Sequence, residues 1–560
     1  MPGVSALLEK ASATFGAIPA HVAAAPYLAG VYALVALFFG LFAAALLRGR
    51  YTAASRFIAL ALATAILFDV GHDLHDHVGR LLLLNEGLTG GSPSLFVEVG
   101  DVSLPVFYYY STGVYVFALP LTALGLSAVM ALRIVMVGFF LAMAFGARRL
   151  FAGIVAQEGD RGEGAGLLAI VFLTANYVYL DFAHRNAFPE AAVYALIPLV
   201  VLALRAERTL LAVALVALQA SLHPAVFPQA ATAAVLAHLV LTPRPLPREA
   251  LRLLLVFAAG VVLSSPSWVL AFANKDEIAG VDGLPVAFED TFLRVTDIFR
   301  FHHYASPGLA LFVLLPLVFW TCRGRRGAAG LLLAAAVATL VLQLEIAKPL
   351  VRLIPLADLG LFIWRWMFVT IWFGVLALAV AWCAGMERWG VRALVLIAGL
   401  LAVVLVGLRI EPAASDNAYA GYADPDRAGT GAWGFGEYYP RYGTPPEDCA
   451  ALGAGESRRV PFSALTAPDG VTSALPLAVP GAPVGIVSYS ADGAPVVGIG
   501  CDDTLYLQPP APGAASVFRA EPDLALRHPV LKVLFPVLPL ILTLLAWAWT
   551  FRRRQPQGAS

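Results

Sequence analysis

The sequence predicts an all-α polytopic membrane protein of about 13 transmembrane helices with a small β-rich domain. Of its 560 residues, 60% are hydrophobic and 13% are charged, and the mean hydropathy is +0.79. Apolar runs approaching the roughly 20 residues that cross a bilayer core recur along the chain. A single long polar stretch, 410–527, carries short β-type runs such as PVGIVSYS and APVVGIG, separated by turn signals.

The predicted spans follow one another with alternating charge in their loops. In chain order they lie at about 28–47, 57–70, 129–147, 166–182, 190–204, 209–222, 225–241, 252–271, 307–322, 328–345, 366–384, 393–409 and 529–550. Basic clusters, from LRGRYTAASR after the first span to FRRRQ after the last, fall in every second loop. The positive-inside rule therefore predicts an outer N-terminus and a cytosolic C-terminus. Segment 106–125 is also apolar, but a span there would break the alternation, so we expect an interfacial or re-entrant helix.

These patterns divide the chain into four predicted regions. They are an outer N-terminal segment (1–27), a transmembrane core (28–409) with an outer loop (71–128), an extracytoplasmic β-rich domain (410–527), and a final span with a cytosolic basic tail (528–560). No A-x-A-like site follows a short charged start, so we expect no cleaved signal peptide. The formal net charge is zero and no basic face is concentrated, so nucleic acid is not an expected partner.

Two of the four cysteines, Cys449 and Cys501, lie in the predicted outer domain. A pair of cysteines in an exported domain favours a disulfide between them. The alternative is a pair of buried thiols.

The stretch GHDLHDHVGR (71–80) concentrates titratable side chains at one membrane edge. If it continues the preceding helix, Asp69, Asp73 and His77 share one face, with Asp76 beside them. Three interpretations are open. The carboxylate can act as a general base, it can bind a divalent cation together with imidazole nitrogen, or the stretch is a solvated helix start.

Further polar residues recur on the same predicted side. Arg185 and Glu190 lie in AHRNAFPE, where ordinary loop solvation is the alternative. His223 precedes a proline at a span end, and a structural role is favoured for it. Arg365 stands between two tryptophans in LFIWRWMF, where it can bind an anionic headgroup or phosphate or snorkel to lipid. No Walker-type nucleotide loop is present.

This order of motifs resembles the GT-C superfamily of polyprenyl-phosphate-sugar glycosyltransferases. Those proteins combine a multi-span bundle with a first outer loop that carries an essential acidic residue, matched here by Asp73. An amphipathic Pro/Tyr-rich stretch follows, matched by GDVSLPVFYYYS (100–111), and then a span that ends in an Arg-rich turn, matched by 131–151. The resemblance implies a GT-C-like core.

A closer resemblance is to bacterial membrane proteins labelled pyruvoyl-tetrahydropterin-synthase-related, a label that implies no pterin chemistry here. Their GGDxxxH-type start is matched by Gly71, Asp73 and His77, with His72 in place of the second glycine. The other matches are Arg185 and Glu190 for an RGAxxE-like loop, FIWRWMF around Arg365, and GEYYP at Glu437–Pro440.

These resemblances imply an inverting transfer of sugar from a polyprenyl-phosphate donor to a lipid or glycan acceptor, on the outer face of a bacterial cytoplasmic membrane. Asp73 is the implied general base, oriented by Asp76 or His77. Asp73 and His77 are also the candidate ligands of a divalent cation, Mg or Mn. The implied substrate- and phosphate-binding residues are Arg185, Glu190, Arg365, Glu437 and Tyr438.

The alternative is a non-enzymatic lipid or glycopolymer transporter, or an envelope-assembly scaffold, that uses the same arginines for headgroups. Few charged residues interrupt the predicted spans, whereas ion-coupled transporters more often place ionisable groups near the midplane. This difference favours the transferase.

Overall fold

The fold is described from a computed structural model of the chain. It describes residues 25–71, 73–89, 97–99, 102–104, 106–156, 163–242, 246–274, 288–299, 306–321, 326–353, 362–382, 389–407, 410, 457–460, 464–465, 469–480, 487–496, 498–501, 504–507, 509–510, 515–522 and 535–552.

Helices make up most of the described chain, as the sequence predicts. They are α1 (Tyr27–Leu47), α2 (Tyr51–Phe68), α3 (Leu74–Thr89), α4 (Val106–Tyr109), α5 (Gly113–Ala123), α6 (Ala128–Val155), α7 (Glu163–Leu173), α8 (Asn176–Leu180), α9 (Phe188–Ala195), α10 (Ile197–Arg205), α11 (Thr209–Leu222), α12 (Phe227–Leu241), α13 (Leu246–Ser264), α14 (Val269–Ala273), α15 (Leu309–Thr321), α16 (Arg326–Leu342), α17 (Lys348–Val351), α18 (Trp366–Ala381), α19 (Trp389–Gly407) and α20 (Val537–Arg552). Each predicted span overlaps a helix or two consecutive helices. Segment 106–125 forms the two short helices α4 and α5.

The chain is a multi-pass membrane protein by the length and composition of these helices, but about 13 full spans are not confirmed. Within the described residues, six helices are long and apolar enough to cross a membrane, or up to seven if a bent pair counts as one span. Most other predicted spans are apolar helices of 10–17 residues. Between α11 and α12 the apolar run is interrupted by a turn that contains Pro224.

The bent pair is α7 and α8. Their axes differ by 61° across Thr174 and Ala175. The helix then widens into a π turn over Asp181–Arg185, and Asn186 follows in the left-handed region with φ of 54°. Single π turns inside helices are frequent at functional sites. This one carries two of the charged residues of the site.

The GHDLHDHVGR stretch does not continue the preceding helix, which corrects the predicted shared face of Asp69, Asp73 and His77. Helix α2 ends at Phe68 and α3 begins at Leu74, because Gly71 packs against the turn after the π helix. Its N–H donates to Asn186 Oδ1 at 2.5 Å, and a Cβ at Gly71 would lie 2.5 Å from the Ala183 carbonyl oxygen. Asp73 and His77 still share a face, since the His77 N–H donates to the Asp73 carbonyl at 3.2 Å.

The core surrounds α18, in which every residue from Met367 to Ala381 is buried. Contacts between helix termini define one end of the bundle, which we call the site end. There the Asp73 N–H donates to the Arg185 carbonyl at 2.9 Å, and Tyr194 Oη donates to the Arg365 carbonyl at 2.9 Å. The site end therefore joins the starts of α3, α9 and α18 to the end of the π turn.

The β region lies where the sequence predicts it, apart from a hairpin of β1 (Val97–Val99) and β2 (Val102–Leu104). Its strands are β3 (Arg458–Arg459), β4 (Val471–Ser473), β5 (Leu477–Pro480), β6 (Val487–Ala491), β7 (Ala494–Pro495), β8 (Gly498–Cys501), β9 (Thr504–Leu507) and β10 (Ser516–Pro522). They form two four-stranded sheets, ordered β4-β10-β6-β7 and β3-β5-β9-β8. All pairs are antiparallel except β3 with β5. Cys449 lies outside the described residues, so its pairing with Cys501 stays a prediction.

Candidate functional site

A buried network of carboxylates and guanidinium groups occupies the site end. Arg185 Nη1 lies 2.8 Å from Asp181 Oδ1 and 3.3 Å from Glu190 Oε1, and its Nη2 lies 3.4 Å from Glu190 Oε2. Arg365 Nε donates to the same Glu190 Oε2 at 2.7 Å. All four residues are buried. Glu190 therefore forms charge-assisted hydrogen bonds with two arginines that are far apart in sequence.

Two tyrosines fix the geometry of this network. Tyr177 Oη donates to Glu190 Oε1 at 2.6 Å and accepts from Arg185 Nη1 at 3.3 Å. Tyr194 holds the Arg365 backbone and stacks on Phe368 with ring centroids 4.5 Å apart. Buried polar groups with several partners each form a rigid arrangement, because no partner can move without leaving another unsatisfied.

Asp73 lies at the accessible margin of the network. Its carboxylate Oδ2 is 3.9 Å from Arg185 Nη2, and its side chain is 29% exposed, against 2% for Asp181 and Glu190. The backbone hydrogen bond to Arg185 holds it in place. Among the described carboxylates that contact Arg185, Asp73 is thus the one that a substrate can reach.

His77 is buried beside Asp73 and is held by aromatic residues. Its Nδ1 lies 2.7 Å from Tyr115 Oη, and its ring stacks on Phe188 with centroids 5.2 Å apart. Burial, and then the charge of Arg80, lowers the pKa of His77 to about 3. The imidazole is therefore neutral at neutral pH and orients the start of α3 through Tyr115.

Asp73 and His77 do not make a complete metal-binding set. Within the described part of the chain, no group of three or more His, Cys, Asp or Glu residues is arranged to hold a metal ion. His77 Nδ1 is engaged by Tyr115. A cation site formed by Asp73 and His77 stays a prediction.

The remaining predicted site residues are Asp76, Glu437 and Tyr438. Asp76 lies in the first turn of α3 and is partly exposed. Glu437 and Tyr438 lie outside the described residues.

Sequence reasoning missed Asp181, Tyr177 and Arg133. Asp181 stands inside an apolar run four residues before Arg185, and a charged residue in such a run is a signal of function or pairing. Arg133 stands in the second turn of the apolar helix α6, is 1% exposed, and its Nη2 donates to the Asp69 carbonyl oxygen. This contact supports the segment that leads to Asp73. Tyr177 offered no comparable signal, because a tyrosine in an apolar run is usually core.

No family model matches the chain, and no curated protein matches it. Among solved structures, a cryo-electron-microscopy structure of the arabinofuranosyltransferase AftD from mycobacteria matches at 17% identity with a TM-score of 0.42, covering 84% of this chain and 40% of AftD. A variant of AftD matches at 18% identity with the same TM-score. The chain spans about two fifths of the length of AftD. The likeness is one of overall shape, and its TM-score is too low to support a function.

Proposed function

We propose that the protein is a membrane glycosyltransferase that transfers a sugar from a polyprenyl-phosphate donor to a hydroxyl acceptor, with inversion at the anomeric carbon. The observation that carries this proposal is the position of Asp73. Its partly exposed carboxylate lies at the margin of a buried charged network and is held there by Arg185. The resemblance of the motif order to GT-C transferases supports the same function, as does the predicted placement of this end outside a bacterial cytoplasmic membrane.

In the proposed reaction, Asp73 accepts the proton of the acceptor hydroxyl as its oxygen attacks the anomeric carbon. The bond between that carbon and the phosphate oxygen breaks, and the lipid phosphate leaves with the bonding electrons. Guanidinium groups are suited to the charge that develops on the phosphate. Arg185 and Arg365 are the proposed contacts, although both already pair with Glu190. Glu190 therefore positions the two arginines, and Glu437 and Tyr438 remain proposed acceptor-site residues.

The test is sugar transfer or release from radiolabelled polyprenyl-phosphate sugars by the purified full-length protein. We expect Asp73→Asn to lower turnover about 100-fold or more, because a general base contributes roughly 10²–10⁴-fold, while donor affinity is kept. Asp469→Asn removes an exposed aspartate just before strand β4 and serves as the matched control. Assays with and without EDTA examine the cation dependence independently.

The same assay distinguishes the transporter or scaffold. Binding of lipid-linked sugar by the folded wild-type protein, without turnover for any donor, would favour the non-enzymatic function. Equal turnover in the wild type and Asp73→Asn would remove Asp73 from the chemistry.

A further inference from the structure

The last turn of α11 and the residue after it carry polar atoms that their surroundings do not satisfy. Gln219 Oε1, Ser221 Oγ and His223 Nδ1 are buried, and none has a hydrogen-bond partner in the described part of the chain. More than nine in ten buried polar groups in native proteins are paired. Three unpaired buried atoms within five residues are therefore unusual, and packing alone does not explain why these side chains are polar.

His223 connects this segment to the site. It lies at the turn between α11 and α12, where its ring meets the edge of the Tyr110 ring, with centroids 6.2 Å apart. The guanidinium of Arg80 lies over the same Tyr110 ring, 4.1 Å from its centroid. Gln219, one turn before His223, donates through Nε2 to a backbone carbonyl of α9 at 2.9 Å, and α9 also carries Glu190. The imidazole therefore borders the network that contains the proposed transfer site.

The burial of the ring determines which nitrogen faces a ligand. The residue is partly exposed while Nδ1 is buried without a partner among the described residues, so Nε2 is the ring nitrogen left to meet a ligand. A buried N–H without an acceptor is rarer in proteins than a buried acceptor without a donor. The neutral ring therefore keeps its hydrogen on Nε2.

We propose that His223 is a substrate-binding residue whose Nε2–H donates a hydrogen bond to an oxygen of the lipid-linked sugar, beside the Arg365–Glu190 pair. The inference rests on the proposed function, since it names a contact of the same substrate. The accepting oxygen belongs either to the sugar or to the phosphate, both of which accept hydrogen bonds.

The electrostatic surroundings agree with a neutral donor. Burial, and then the charge of Arg365, lowers the pKa of His223 to about 3. At neutral pH the residue therefore adds a directional hydrogen bond to the site without adding charge.

The experiment measures equilibrium binding to the purified full-length protein. The probes are farnesyl phosphate and farnesyl phosphate carrying single sugars, and the variants are His223→Phe and His223→Gln. Phenylalanine keeps the ring but removes the donor, whereas the glutamine amide nitrogen reaches close to the position of Nε2. We expect His223→Phe to weaken binding about five- to tenfold, as the loss of one hydrogen bond does, and His223→Gln to restore most of it. Thermal unfolding and size-exclusion chromatography verify that both variants fold.

Comparing the two probes shows whether the oxygen that accepts from His223 belongs to the sugar or to the phosphate. A loss confined to the sugar conjugates places His223 on the sugar, and an equal loss for farnesyl phosphate places it on the phosphate. Wild-type affinity of His223→Phe for every probe would overturn the proposal, and so would absence of binding by the wild type.

Failure of this proposal can be distinguished from failure of the proposed function. Binding needs no turnover, so a wild type that binds through His223 without transferring sugar would refute only the transferase. Conversely, normal binding and transfer by His223→Phe, with transfer lost in Asp73→Asn, would refute only the role of His223.

Discussion

Glu190 is the residue that joins the two arginines of the network. It accepts from Arg185, Arg365 and Tyr177 while only 1% exposed. Replacement by glutamine leaves two buried guanidinium groups without their shared counter-charge. Breaking a buried pair on one side costs on the order of 3–5 kcal/mol, far more than the loss of an exposed carboxylate.

We therefore expect Glu190→Gln to lower the free energy of unfolding by about 3 kcal/mol and to lower transfer as well. Unfolding in detergent, followed by intrinsic fluorescence, measures the first effect. The control is Glu86→Gln, which alters an exposed glutamate of α3. If the two variants unfold alike, the network does not stabilise the fold.

Gly71 is the residue whose size permits the approach of two chain segments. A methyl group there would lie 2.5 Å from the Ala183 carbonyl oxygen and 2.6 Å from the Asn186 side chain. We expect Gly71→Ala to displace Asp73 from Arg185 and to reduce transfer at least tenfold, because small displacements of a catalytic group have large effects. Gly138→Ala is the matched control, since a Cβ there meets nothing within 4 Å. Normal turnover in Gly71→Ala would show that the Gly71 contact does not position Asp73.

The buried neutral state of His77 makes the stability of the protein depend on pH. Its pKa is about 3 in the folded protein, against an ordinary value of 6.5. Above pH 6.5 both states are mostly neutral at this residue and no penalty arises. As the pH falls from 6.5 toward 3, the unfolded state binds a proton that the folded state does not, so stability is lost.

We expect this residue to remove about 1 kcal/mol of stability between pH 6.5 and 5.5. His77→Gln cannot bind that proton, and the variant should show a shallower decline of unfolding temperature over this range. His75→Gln, which changes an exposed histidine, should decline like the wild type. A decline in His77→Gln as steep as that of the wild type would contradict the prediction.

At the scale of helices, a second charged cluster joins three helices at the end of the bundle opposite the site. His238 of α12 lies with Nε2 2.6 Å from Glu249 Oε1 of α13. Arg252 Nε donates to the same oxygen at 2.9 Å, and its Nη2 donates to the Leu204 carbonyl of α10 at 3.1 Å. Glu249 and Arg252 together thereby connect α13 to α12 and to α10.

We expect Glu249→Gln to lower the free energy of unfolding by about 1–3 kcal/mol with little change in affinity for farnesyl phosphate sugars, because the cluster lies away from the site. Glu345→Gln is the control, since its ion pair with Arg294, at 3.9 Å, is exposed and worth little. Weakened ligand binding in Glu249→Gln would instead couple the two ends of the bundle.

The elements that could be predicted from sequence are those set by local pattern. Apolar runs predicted the helices, and alternating runs with turn signals predicted the β region. Motif order selected Asp73, Arg185, Glu190 and Arg365, which the structure brings together. The break between α2 and α3 was not predictable, because it depends on the packing of Gly71 against a turn 115 positions away.

Apolar runs predicted helix bounds better than they predicted how many helices cross the membrane. The run 209–222 forms a helix over the predicted residues, but its 14 residues are fewer than the roughly 20 that cross a bilayer core. Hydropathy reports the solvent that a segment prefers, whereas the length of a helix depends on where its backbone hydrogen bonds stop.

At the scale of the whole molecule, the helical bundle is long enough for its two charged ends to lie on opposite sides of a bilayer. The segment Phe188–Arg205 has 18 residues, which corresponds to ~27 Å at the helical rise of 1.5 Å per residue. This length is close to the roughly 30 Å of a hydrocarbon core. The site end begins at Phe188, beside His77, and the opposite end follows Arg205.

Orientation across the membrane can be measured with single cysteines in a background that lacks the four native ones. His75 is exposed at the site end, and Ala206 is exposed at the opposite end. The basic loops predict that the site end lies outside, so a membrane-impermeant maleimide should label His75→Cys in intact cells. It should label Ala206→Cys only after permeabilisation. The reverse pattern would place Asp73 in the cytosol, where its substrates would have to be presented on the inner leaflet.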